Sequence, residues 1–145
     1  LEAKNQITIG DWKILPFDAV HDSAEPLSFL LANGEEKILF ATDTAYIKYR
    51  FKGLTHIMVE CNYCDYVLRK NVASGAVSVA QKNRLIFSHF GLENVVNFLK
   101  ANDLEKLRET WLLHLSDGNS NAEEMDKAVR ATTARPVVVA QSSKY

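Results

Sequence analysis

The sequence predicts a layered mixed α/β domain, and three observations carry the prediction: strand-length apolar runs fill the chain up to Ala41, a helical rhythm takes over after Asn62, and from there strands and helices alternate. Ile7, Ile9, Trp12, Ile14 and Phe17 recur with near-alternating spacing broken by Gly10-Asp11. That pattern predicts two short strands around a tight turn, the second running toward His21. Leu27 to Ala32, then Asn33-Gly34 and two glutamates, then Lys37 to Ala41 predict a hairpin, because Asn and Gly tolerate the positive φ of such turns. Ile47 to Lys52 fits one or two helical turns, and His56 to Cys61 a further strand. Tyr63 to Lys70 has helical character, Leu85 to Phe87 fits a short strand, and Leu92, Val95, Val96 and Leu99 share one helical face. A strand at Thr110 to Leu115, a helix at Ala122 to Thr132 and a closing strand at Pro136 to Gln141 complete the order. Ser120 with Glu123 fits a capping box for that helix. Residues 72–83 are small and polar with little periodicity, which predicts a mobile loop.

Composition excludes several classes. The 145 residues are 47% hydrophobic and 24% charged, a balance that supports one folded core and rules out disorder for most of the chain. Seventeen Lys and Arg against eighteen Asp and Glu give a net charge of -1, so any polyanion must be held by a local site. Two cysteines make no secreted disulfide framework, and the longest apolar runs fall far short of a membrane span. A cytoplasmic setting without membrane contact is the expectation. The chain opens on Leu1 and Glu2 with no Met, basic n-region or apolar h-region, which leads us to expect a processed chain or a piece of a longer one.

Polar residues of metal-ligand type stand just past several of the expected strands: His21-Asp22, Asp43, Glu60 and Asn62, Ser88-His89, and His114. In layered α/β folds such ends converge on one site. Imidazole nitrogen and carboxylate oxygen suit Zn, Mn or Fe, and an Asp can bridge two ions. On spacing alone, a histidine at a strand end is more often a hydrogen-bonded structural residue than a ligand.

The runs Asp18-Ala19-Val20-His21-Asp22-Ser23-Ala24-Glu25-Pro26, Ala41-Thr42-Asp43-Thr44-Ala45-Tyr46, Glu60-Cys61-Asn62, Ser88-His89 and His114-Leu115-Ser116-Asp117-Gly118-Asn119-Ser120-Asn121 carry a resemblance. In this order they resemble the metallo-β-lactamase-fold hydrolases, and within them the YycJ type of DNA exonuclease. The resemblance implies the C-terminal portion of an αββα sandwich, with residues 1–145 forming a single partial domain. It implies a phosphodiesterase or exonuclease acting on DNA through two divalent ions, Zn or Mn. His21 and His114 would each ligate one ion, and Asp43 would bridge both. His89 would act on the phosphate, and Ser88 with His89, at the start of a helix, would bind it, joined by Asn62 and Asn119. Asp22 and Glu60 would orient the ligands.

Two departures from the family pattern matter. The motif His-x-His-x-Asp-His occurs nowhere in the 145 residues. Each ion would therefore keep two protein ligands, and weak binding by this chain alone is expected until an N-terminal portion supplies the rest. At Asn62-Tyr63 the family usually carries Asn-His, and Tyr63 cannot replace that imidazole. The alternatives are a degenerate, non-catalytic binding subunit of the same fold and, more remotely, a dithiol oxidoreductase using Cys61 and Cys64, which follow a strand and open a helix. His56 reads as structural, and Trp12 and Trp111 as core residues that need a partner for the indole N–H. Lys48, Arg50 and Lys52, like Lys82 and Arg84, either track a nucleic-acid backbone or form a solvated face.

Overall fold

A computed structural model of the chain describes residues 2–140. Seven strands form one sheet in sequential order: β1 Ile7–Ile9, β2 Trp12–Asp18, β3 Leu27–Asn33, β4 Glu36–Ala41, β5 His56–Glu60, β6 Glu109–Leu113 and β7 Val137–Val139. The first four are antiparallel, while β4 to β7 run parallel. Two-residue turns join β1 to β2 and β3 to β4 and can only reverse the chain, a longer loop over residues 19–26 joins β2 to β3, and the parallel neighbours need a crossover. Gly10 and Gly34 open those turns at φ +57°, which a side chain would strain. Helices α1 Asp65–Ala73, α2 Val79–Ser88 and α3 Leu92–Lys100 join β5 to β6, and α4 Ala122–Thr133 joins β6 to β7. No helix among the described residues is long and apolar enough to cross a membrane.

The two faces of the sheet differ. Leu39, Ala41, Ile57, Val59, Leu112 and Val137 pack with Val95, Phe98, Leu99, Met125 and Val129 of α3 and α4, and this buried cluster is the core. The opposite face carries Pro16, Phe29, Phe40, Met58, Trp111 and Val138, one register row crossing six strands. Ile14, Leu31 and Ile38 form the next row and line one continuous apolar patch with Phe29, Phe40 and Met58. None of these side chains belongs to the core cluster. Trp12 and Trp111 lie on this partly exposed face rather than in the core, and the indole of Trp111 donates to Glu109 at 2.9 Å. His56, on the same face, stands within 3.4 Å of Glu36 and 3.8 Å of Glu109, a structural role in keeping with its strand position.

Several sequence expectations need correction. Leu85 to Phe87 is helical, because Ser78 caps α2 with a reciprocal pair, its hydroxyl accepting from Gln81 N and its N–H donating to the Gln81 side-chain Oε1. A three-residue apolar window is too short to distinguish a strand from a helix. Residues 72–83 accordingly include the end of α1 and the first turn of α2. Ile47 to Lys52 forms no helix. Tertiary anchors hold it instead: Tyr49 donates to Asp18 at 3.0 Å, Phe51 N donates to Asn102 at 2.7 Å, and the Phe51 ring packs between Phe17 and Phe98. The cap of α4 is Asn121, accepting from Glu124 N, since the Ser120 hydroxyl is engaged with the Ser116 carbonyl. Gln141, expected in the closing strand, lies outside the described residues.

Candidate metal centre

The parallel strands β4, β5 and β6 end side by side, and chemistry-bearing residues gather at their carboxyl ends. Asp43 stands just beyond β4, Glu60 is the last residue of β5, and His114 is the first residue after β6. His89 enters from the α2–α3 junction. One donor atom from each of Asp43, Glu60, His89 and His114 lies within 4.8 Å of the others. The backbone is strained at two of the four, with φ +50° at Asp43 and +54° at His114. Left-handed non-glycine residues cost about 1–3 kcal/mol each and persist where surrounding bonds over-determine them. Here the Asn62 amide donates to the His114 carbonyl at 2.8 Å, Ser116 N donates to the Asn62 carbonyl at 2.8 Å, and Thr44 N donates to Glu60 at 3.1 Å.

Glu60 organises the group. Its carboxylate is fully buried. The Nδ1 atoms of His89 (2.6 Å) and His114 (2.8 Å) both donate to Oε1, while the backbone N–H groups of Thr44 (3.1 Å) and Phe90 (3.5 Å) approach Oε2. An acceptor on Nδ1 fixes the tautomer, so the lone pair of each imidazole sits on Nε2, the state in which a histidine binds a cation. Asp43 Oδ1 approaches His114 Nδ1 at 3.4 Å and is half exposed. Carboxylate oxygen and neutral imidazole nitrogen in one cluster fit a divalent metal ion.

The sequence-selected residues divide as follows. Asp43, His89 and His114 come together with Glu60. His21 stands one ring away: its imidazole meets that of His89 edge-on at 5.6 Å, and His89 meets His114 at 5.3 Å. Its Nδ1 accepts from Ser23 N at 3.1 Å and lies 3.1 Å from Asp22. Asn62 is buried and clamps the His114 backbone. Asn119 is bonded to Asn71 and Ser116, which fixes the loop after His114. Ser88 is buried as the last residue of α2, with His89 as its C-cap, so the expected helix start at Ser88-His89 is corrected to a helix end. The next helix start lies three residues on, at Leu92 with Gly91 as its N-cap. A cavity of about 500 Å³ opens beside His114, walled by Leu115, Ser116 and Val139.

Thr44 escaped the sequence reasoning, although it is fully buried and ties the His21 loop to the Asp43 loop. Its hydroxyl accepts from Val20 N and donates to the Tyr46 carbonyl, both at 2.9 Å. No one-dimensional signal distinguishes such a threonine from any other. Tyr63 and Gly91 form a second hidden tie. Asn62 N donates to Phe90 O, Leu92 N donates to Tyr63 O, and a Cβ on Gly91 would clash with the hydroxyl end of the Tyr63 ring. Burial pushes the Tyr63 hydroxyl up to about 12. Cys61 and Cys64 are buried and free, and burial pushes both thiols upward, against the low pKa that a redox dithiol requires.

No sequence-family model matches the chain. It is similar to the exodeoxyribonuclease YycJ of Bacillus anthracis, 27% identical over 122 residues that make up 80% of this chain and 45% of that protein. The chain thus spans about half the length of the curated relative it matches. Among solved structures it resembles the metallo-β-lactamase fold protein YhfI of Bacillus subtilis with a TM-score of 0.67 at 14% identity, covering 98% of this chain and 52% of that one. The Zn²⁺-bound PqqB of Methylobacterium extorquens matches with a TM-score of 0.65 at 11% identity and the same two coverages. From its mixed sheet to the histidines gathered at the strand ends, the chain has the metallo-β-lactamase fold, across nearly all of its own length and about half of theirs.

Proposed function

We propose that this chain is the C-terminal portion of a metal-dependent phosphodiesterase, an exonuclease acting on DNA. The single observation that carries the reading is the four-residue donor cluster around buried Glu60. Two divalent cations, zinc or manganese, would be held by His21, Asp43 and His114, and would supply an activated water and charge neutralisation at the phosphate. The chain's own residues do the positioning. Glu60 holds His89 and His114 with Nε2 free. Asn62 and Thr44 fix the strained backbones that present His114 and Asp43. His89, partly exposed, would act on the phosphate. The similarity to YycJ supports DNA as the substrate class.

The partner in this reading is the N-terminal portion of the same fold, carrying the His-x-His-x-Asp-His motif. The apolar face of Ile14, Phe29, Leu31, Ile38, Phe40 and Met58 offers the surface that such a portion would cover. The absence of that motif from the 145 residues favours a second reading, a non-catalytic binding subunit. Metal analysis by mass spectrometry, followed by hydrolysis of a fluorescent DNA strand with and without the N-terminal portion, separates the two. Weak cation binding by the chain alone, near two equivalents with its complement, and hydrolysis abolished by Asp43→Asn are expected. No cation in either form overturns the enzyme reading.

A further inference from the structure

Beside the donor cluster, the segment after Asp43 and the outer side of α3 enclose a small cleft lined by Tyr46, Arg50, Phe90, Asn94 and Asn97. Its lining is linked to the site along the chain, since Tyr46 follows Asp43 by three residues and Phe90, whose N–H approaches Glu60 at 3.5 Å, follows His89 directly. Four of its side chains are not accounted for by the fold. Tyr46 is a large aromatic left 50% exposed. Arg50 is exposed and makes no ion pair among the described residues, its one bond being a long 3.4 Å contact to the Tyr49 carbonyl. Its neighbour Lys48, by contrast, is engaged with Asp18 at 3.5 Å. Asn94 and Asn97, one turn apart on α3, are exposed, and among the described residues neither amide has a protein partner. The buried side of that helix is Leu92, Val95, Phe98 and Leu99, so the two amides are presented outward by the core packing itself.

An exposed aromatic ring, an uncompensated guanidinium and two free amides in one cleft match the chemistry of single-stranded nucleic acid. Bases stack on an aromatic face whatever their identity, arginine meets the phosphate, and amides bond base edges. A duplex keeps its bases stacked on one another and offers Tyr46 no free face. With a net charge of -1 the chain has no general attraction for polyanions, so a local cleft must supply it. We propose that this cleft binds the single-stranded segment flanking the phosphate at the metal centre, with Tyr46 as stacking platform and Arg50 as phosphate contact. The choice of DNA rests on the functional reading above, while the choice of a single strand rests on the cleft.

Fluorescence anisotropy of a labelled oligothymidylate with the purified chain tests it. The single strand should bind and the corresponding duplex should bind far more weakly. Tyr46→Ala should weaken the single strand by about 5- to 150-fold, the range of one lost stacking contact, with the salt dependence unchanged. Arg50→Ala should flatten the slope of log K against log salt by about 0.7, one phosphate on a single strand. Both side chains are exposed, and circular dichroism checks that the variants stay folded. Parent-like binding by Tyr46→Ala, equal binding of duplex, or no binding by the parent each overturns the proposal. Binding that persists in Asp43→Asn without hydrolysis supports the cleft even if the enzymatic reading fails.

Discussion

Replacing Glu60 tests the centre of the site most directly. The carboxylate is fully buried and accepts from two imidazoles and two backbone N–H groups. Glu60→Ala leaves Thr44 N without its acceptor and removes the anion that both histidines face. Breaking a buried charged network in this way costs about 3–5 kcal/mol. With a urea m-value of about 2 kcal/mol/M, the unfolding midpoint followed by tryptophan fluorescence should fall by about 2 M. Glu60→Gln preserves the shape, and its carbonyl still accepts from Thr44 N, so the loss should be only about 1–2 kcal/mol. Its NH₂ group, however, then faces the two Nδ1 atoms and drives each proton to Nε2. That tautomer has no lone pair where a cation would bind, and affinity for Zn or Mn should drop about 10- to 100-fold. Long-range ¹H–¹⁵N spectra of the imidazoles report the tautomer directly. A Glu60→Gln variant that keeps Nδ1–H on His89 and His114, or binds cation as the parent does, refutes the reasoning.

Three further outcomes are expected. The Tyr49 hydroxyl bond, opposed by partial burial and aided by Lys4 and Lys48, holds the Asp18 carboxyl below its ordinary value. The unfolded chain therefore binds the proton more readily in acid, and the stabilisation is present above the ordinary carboxylate pKa and is lost as pH falls through the folded value. The gap in urea midpoint between parent and Tyr49→Phe should accordingly narrow from neutral pH toward about pH 2. Gly91→Ala forces a methyl into the Tyr63 ring and should destabilise by about 1–3 kcal/mol, with Tyr63→Leu in the same chain recovering much of the loss in a thermal melt. Among the described residues the buried Thr110 hydroxyl has no partner beside Ile57 and Val137, so Thr110→Val should raise stability by about 1 kcal/mol in urea titration.

The sequence by itself determined the class of fold, both hairpins, most strands and the residue types of the site. Alternating apolar residues, turn glycines and helical spacing are local signals, and local sterics read them without help. Where a signal was short or shared, tertiary contacts decided. The Ser78 cap favoured a helix over Leu85 to Phe87, and the anchors of Tyr49 and Phe51 held Ile47 to Lys52 outside any helix or strand. Only the tertiary structure assembled the site. Asp43, Glu60 and His114 meet because parallel pairing of β4, β5 and β6 aligns three strand ends that the sequence separates. It also showed which ligands Glu60 orients, the two histidines His89 and His114, turned Asn62 inward as a backbone clamp, and left His21 one ring outside the donor cluster. The apolar face shows the same division. Continuous apolar runs such as Phe29 to Ala32 and Ile38 to Ala41 make both faces of the sheet hydrophobic, but only the helix placement determines that one is covered, because crossover helices pack where their own apolar stripes find the sheet.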